Sequence, residues 1–488
     1  MNKVILVGLD GLRPEMMTPE LTPHLFALSN DGALFTRHRS VFPSETYVNV
    51  ASIMTGAAPA SHGIVANEFL DPKIDPRKPW IGSRVEMVEA GIAAYAGALM
   101  TAPTLGDRLA KGGKRFWAFG GGSPGSARLI HPLVVKHPDH LLFVGQDWRA
   151  SIPQGRAAEI VKRLGEPPVP SSNGSNAPIQ QYLTEAFLLL AADEPLPDAT
   201  VLWFGEPDHA YHTFGLGAEP TLTTLHAMDS EVGRLVDWWR ARPDHDRIQL
   251  VVTSDHGHIT QTKPVDTARL LIDAGFLVGG HLEADAELAL VPGYCGNIRV
   301  RNGDKGLVTV VAQALMAHRD IGLIFTRSGQ GPEGIVPGTL SQSFILTEHS
   351  RSADIVFTLH ADDDRDSFGF TGTCRFDNSL PAGVGIHGGL HPAEMSPLLI
   401  AAGSAFGRGI ESDTPSSVTD ILPTLLKLLG EPTDGSRGRI LEEAFADPGP
   451  RPEATSEIVA ASKGSYAQEL RAYRFGSRYV LDHGKRVT

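Results

Sequence analysis

Residues 4–11 read VILVGLDG, an unbroken apolar run that stops on a carboxylate, Asp10, set between Gly8 and Gly11. A strand with one wet face alternates apolar and polar residues, whereas a strand buried on both faces reads as a continuous run like this one. Similar runs recur at residues 115–119, 200–204, 248–253 and 397–402. Between them lie stretches with apolar residues at helical spacing, most clearly residues 221–240, TLTTLHAMDSEVGRLVDWWR. Strands of this kind separated by helices predict an α/β fold, a mostly parallel sheet flanked by helices on both faces. Such sheets bind ligands beyond the carboxyl ends of their strands, and Asp10 falls there.

The pattern is interrupted once. Residues 260–385 carry a strand, a helix and a strand at 296–301, 306–318 and 321–326, which predicts a smaller inserted α+β subdomain. The core is then residues 1–259 and 386–430, closed by a helix at 417–429 (SVTDILPTLLKLL). Residues 431–488 form a C-terminal extension, expected to pack on the core and to end in a strand pair near 473–482. Residues 166–178 (EPPVPSSNGSNAP) read as an exposed loop.

A net charge of -13 lacks the basic footprint that nucleic-acid polymers require, so none is expected as a partner. It leaves room for a small anionic substrate, because bound cations reverse the local potential. Cys295 and Cys374 are the only cysteines, too few for a disulfide framework or a thiolate zinc site. No apolar stretch approaches the ~18 residues that cross a bilayer. The opening run follows no basic leader segment, so the expected location is cytoplasmic.

Five segments carry residues suited to chemistry. Asp10 follows the first strand. In residues 42–64 (FPSETYVNVASIMTGAAPASHGI), Thr46 stands just before a helical stretch, where the positive end of the helix dipole favours an alkoxide. Asn49, one turn on, shares its face and has an amide suited to a phosphoryl oxygen. In residues 201–215 (VLWFGEPDHAYHTFG), Asp208 and His212 are four apart, the helical spacing at which two side chains can grip one cation; His209 lies between them. In residues 250–258 (LVVTSDHGH), Asp255 and His256 end a strand, and Gly257 is expected to ease a sharp turn. In residues 385–403 (GIHGGLHPAEMSPLLIAAG), His387 and His391 sit in a glycine-rich loop. Each motif alone also reads as a helix cap or a loop pair. Strand ends on one edge of a parallel sheet converge, however, and together they offer three Asp and three His around Thr46. A mixed Asp/His set without thiolate suits zinc, and less specifically manganese or iron, and six donors suffice for two metals.

Taken in order, VILVGLDGLRP, TYVN followed by SIMTG and SHGI, EPDHAYH, SDHG and the late HGG resemble the nucleotide pyrophosphatase/phosphodiesterase family of the alkaline phosphatase superfamily. The resemblance implies an alkaline-phosphatase-like fold and two zinc ions. Asp208, His212 and His387 would hold one ion, and Asp10, Asp255, His256 and the nucleophile Thr46 the other. It makes Asn49 a contact to a non-bridging oxygen and puts Asn67 near the substrate pocket. His387 matches the motif better than His391, and His258 is left as a structural or supporting residue. The family often has Phe-Pro where Tyr47 and Val48 stand, and Gly where Tyr211 stands. These departures bear on nucleotide preference and make Tyr47 and Tyr211 candidates to stack on a leaving group.

The expected activity is therefore hydrolysis of a phosphodiester or pyrophosphate through a phosphothreonine. Rival readings are a phosphonate hydrolase, with Arg301, Lys305 or Arg327 binding a carboxylate, and a phosphomonoesterase. A mutase would normally use Ser in place of Thr46. A sulfatase needs a Cys or Ser motif that Cys374-Arg375-Phe376 does not match. A metal-binding protein without activity is the last alternative.

Overall fold

The computed structural model describes residues 2–282 and 286–487. Its centre is an eight-stranded mixed sheet. Five strands lie side by side and parallel, in the order Ile248–Thr253, Lys3–Leu9, Ala199–Phe204, Phe116–Gly120, Leu141–Val144. On the far side of Ile248–Thr253 come Leu399–Ala402, Ala33–Phe35 and Ile410–Ser412, and Leu399–Ala402 runs opposite to both its neighbours.

The apolar run of the first strand divides between two faces. Val4 and Leu6 enter one core with the helices Thr46–Thr55, Leu105–Lys111, Pro124–Ile130 and Ile421–Leu429. Ile5, Val7 and Leu9 enter the other with Pro23–Asp31, Gln154–Leu164, Ala177–Asp193 and Glu219–Arg240. Both faces are dry, which is why the strand shows no alternation. Among the described residues no helix is long and apolar enough to cross a membrane. Cys295 and Cys374 are unpaired.

The excursion away from this core opens and closes on one stem, where Ile259–Pro264 pairs antiparallel with Gly385–Ile386. Within it, a six-stranded sheet that includes Cys295–Val300, Ile321–Thr326 and Ile355–Leu359 packs on the helices Thr267–Asp273 and Lys305–Ala317. The tail is a three-stranded meander, Thr455–Lys463, Tyr466–Phe475 and Arg478–Arg486, one strand more than the expected pair. It docks on the inserted sheet as well as on the core. Gln468 bonds both the N–H and the carbonyl of Ile324, and Tyr466 donates to Gly322 O, while Asp482 accepts from Arg39 of the core.

Candidate active site

Every strand of the parallel block that carries a motif ends on the same edge. Asp10 follows Lys3–Leu9, Asp255 and His256 follow Ile248–Thr253, and the short helix Asp208–Phe214 begins just past Ala199–Phe204. Backbone bonds lock these ends together: Asp208 N–H donates to Asp10 O and Gly11 N–H to Asp255 Oδ1, each at 3.0 Å. The stem strand Gly385–Ile386 delivers His387 from the other side.

The donors fall into two adjoining clusters, Asp10 with Asp255 and His256, and Asp208 with His212, His258 and His387. His256 and His387 stack with ring centroids 3.8 Å apart, so the clusters touch. In the first, His256 Nε2 lies 3.5 Å from Asp10 Oδ1 and 3.4 Å from Asp255 Oδ2. In the second, the Nε2 atoms of His212, His258 and His387 lie 3.3, 3.1 and 3.4 Å from Asp208 Oδ1.

Thr46 is the first residue of helix Thr46–Thr55 and is only 7% exposed. Its Oγ1 is 3.1 Å from His256 Nε2 and 3.4 Å from Asp10 Oδ1. The hydroxyl therefore meets the first cluster at the positive end of a ten-residue helix.

Three carboxylates at such range conflict electrically. Burial, then Asp255 and Asp208, raises the pKa of Asp10 well above the usual carboxylate range. Burial pushes Asp255 up to about 7. Burial also opposes charge on Asp208, but the three imidazoles outweigh it and hold this pKa well below its usual value. Asp208 Oδ1, Asp255 Oδ2 and His258 Nε2 are moreover buried without a hydrogen bond. Buried polar atoms are costly when left unpartnered, and two buried acids that resist ionisation, Asp10 and Asp255, beside buried imidazoles are what divalent cations stabilise. The donor set fits a pair of them.

Other expected contacts fall elsewhere. Asn49 does not face the clusters. Its Oδ1 accepts from Val41 N–H at 2.8 Å, and its Nδ2 is held by the carbonyls of Val41, Pro43 and Glu45 at 3.0–3.3 Å. It braces the loop that leads into the threonine helix. Asn67 is the amide beside the nucleophile: its Oδ1 accepts from Tyr47 N–H at 2.9 Å, its N–H donates to Glu45 Oε2, and its Nδ2 has no partner among the described residues.

Tyr211 is fully buried, its ring 4.8 Å from that of His258, so it cannot stack on a leaving group. Tyr47 stays half-buried beside Thr46, its ring against Gly82, where a Cβ would come within 2.3 Å. His391 Nε2 turns away to Asp363, and His209 Nε2 to Gly174 O. Arg327 donates to the carbonyls of His349 and Ser352. Gly257 serves by lacking a side chain, not by a left-handed turn: its φ is not positive, and a Cβ would lie 2.1 Å from Ala393 O. His258 is the donor that motif reading left out. The signal lay in its spacing, since it stands two residues past His256 in the same short link between Ile248–Thr253 and Ile259–Pro264.

Known proteins resemble this chain in sequence and in fold. The model of the family described as type I phosphodiesterase / nucleotide pyrophosphatase matches residues 4–362. Venom phosphodiesterase CdcPDE of Crotalus durissus collilineatus is 22% identical over 477 residues, covering 94% of this chain and 48% of its own. Ectonucleotide pyrophosphatase/phosphodiesterase family member 1 of Homo sapiens is 28% identical over 256 residues, 52% of this chain and 23% of its own. The chain spans less than half the length of these two relatives. Among solved structures, murine ectonucleotide pyrophosphatase/phosphodiesterase 5, in an inactive Thr-to-Ala form in complex with AMP, matches with a TM-score of 0.63. The two are 18% identical, and the match covers 91% of this chain and 100% of the murine one, a likeness of fold.

Proposed function

Because this chain belongs to the type I phosphodiesterase / nucleotide pyrophosphatase family, we propose that it is a metal-dependent hydrolase that cleaves phosphodiester or pyrophosphate bonds of a small anionic substrate through a phosphothreonine at Thr46. The observation that carries this reading is the approach of Thr46 Oγ1 to within 3.4 Å of both His256 Nε2 and Asp10 Oδ1 at a helix N-terminus. Asp208, His212 and His387 would hold one metal, and Asp10, Asp255 and His256 the other, next to Thr46; the donor set favours zinc. When bound, such ions supply charge that lowers the pKa of a hydroxyl and neutralises phosphate oxygens.

The chain's own groups do the rest. Thr46 Oγ1, freed of its proton towards the facing Asp10 carboxylate, attacks phosphorus in line, and the substrate's ester or phosphate oxygen leaves. Asn67 Nδ2, uncommitted and pinned to the residue after the nucleophile, donates to a non-bridging oxygen. Water then attacks the phosphothreonine from the side the leaving group vacated and restores Thr46. Phosphoryl transfer is mostly positioning and charge stabilisation. The AMP in the murine structure supports a nucleotide-sized ligand, and the inactivity of its Thr-to-Ala form supports a threonine nucleophile.

The test is Thr46→Ala. We expect turnover of a nitrophenyl phosphodiester to fall by at least about 10³-fold while metal content stays near that of the parent protein. Full activity in that variant ends the assignment.

A further inference from the structure

We propose that His258 is a fourth protein ligand of the metal held by Asp208, His212 and His387, giving that site three imidazoles and one carboxylate. The proposal rests on the metal-dependent reading above. It follows from the way three rings are held. His212 Nδ1 lies 2.8 Å from Gly385 O, His387 Nδ1 2.9 Å from Ser44 O, and His258 Nδ1 3.2 Å from Gly11 O. A carbonyl only accepts, so each Nδ1 carries the ring proton and each neutral ring presents a bare lone pair at Nε2. All three lone pairs point at one atom, Asp208 Oδ1, and His258 comes nearest at 3.1 Å.

Two lone pairs at that distance do not attract without a cation between them. A hydrogen bond from a protonated ring is the other arrangement that brings such atoms together, but both His258 Nε2 and Asp208 Oδ1 lack hydrogen-bond geometry to any partner. The ring is also built into its place. Gly11 adopts φ +74°, and a Cβ there would lie 2.4 Å from His258 Cε1. Tyr211 packs against the ring, and a Cβ at Gly385 would lie 3.1 Å from its Cδ2. His258 is fully buried. Nothing else in this pocket uses its Nε2.

Four protein donors change what the site selects. Three leave zinc open for substrate, whereas four reach its usual number before substrate arrives. Metals that accept five or six ligands, such as manganese, cobalt or iron, gain relative to zinc at this position.

Cobalt(II) loading of the full chain reads the ligands directly. An imidazole bound through Nε2 shows its Nδ1–H as an exchangeable, paramagnetically shifted proton resonance. His256 Nδ1, 3.0 Å from Gly257 O, adds one to the three rings above. We expect four such resonances, falling to three in His258→Gln, with at least a tenfold loss of cobalt affinity at one site, on the order known for disturbed metal shells. Three resonances in the parent protein, unchanged by His258→Gln, would overturn the proposal and leave His258 as a positioning residue for Asp208. A chain that takes up no cobalt at these clusters would refute the metal reading itself. Should the variant fail to fold, the count in the parent protein decides alone.

Discussion

Asn49 and Asn67 stand on either side of the nucleophile with opposite commitments. All of the Asn49 amide goes to the backbone of the loop ahead of the threonine helix, and the side chain is fully buried. Half of the Asn67 amide is free. Substituting each with Ala should therefore separate stability from catalysis. Asn49→Ala strands the buried Val41 N–H and several carbonyls, and we expect a loss of about 2–4 kcal/mol in urea unfolding, from one or two unmade buried hydrogen bonds. Asn67→Ala gives up only the bond from Tyr47 N–H, about 1 kcal/mol, and should lower kcat by about 10²–10³-fold, as for other donors to a developing charge. The opposite pairing would return the phosphoryl contact to Asn49. Helical spacing favours Asn49, three residues after Thr46, because a pattern read along one helix cannot see the 41–45 loop folding over that face. Asn67 reaches the site through tertiary contact alone. Asp10 and His387 directly follow a strand, Asp208 begins a helix, and Asp255 and His256 stand just past a strand, so a pattern read along the sequence marks these positions.

At the scale of elements, the helix Thr46–Thr55 is tied to the short helix Pro59–His62 by one buried ring. Ile64 N–H donates to His62 Nδ1 at 3.1 Å, so the proton sits on Nε2, which donates to Ser52 Oγ at 2.9 Å. The neutral ring satisfies both bonds, and a charged ring breaks one. Burial, helped by His349 and Arg351, lowers this pKa to about 3, against about 6.5 in an unfolded chain. Between those values the unfolded chain binds the extra proton, so the contribution of His62 is fully present above about pH 6.5 and is lost as pH falls towards 3. Relative to His62→Gln, the parent protein should lose about 1.4 kcal/mol of stability per pH unit across that window. A pH-independent difference in unfolding free energy would contradict the assignment. Strands were the most legible elements, since burial on both faces writes itself as an apolar run. Direction was not legible: the run at 397–402 looks like the others, and its reversal in Leu399–Ala402 follows from the path of the chain out of the insertion.

On the scale of the whole molecule, the site exists only because distant segments meet. Thr46 comes from the first helix after the early strands, His387 returns from a long excursion, and Leu399–Ala402 closes the sheet beside Ile248–Thr253. The interruption of the α/β rhythm after residue 259 was legible, and in the structure Ile259–Pro264 and Gly385–Ile386 pair antiparallel at its two ends. The docking of the C-terminal meander on the inserted sheet was not, because it depends on single side chains such as Gln468 reaching a strand 144 residues away. This convergence underlies the central claim, that Thr46 takes the phosphoryl group before water does. Each in-line displacement inverts phosphorus, so two in succession restore its configuration. The direct measurement is the stereochemical outcome with a phosphodiester made chiral at phosphorus and cleaved in labelled water. Net retention is the predicted result; net inversion would mean that water attacks the substrate itself and that Thr46 is never phosphorylated.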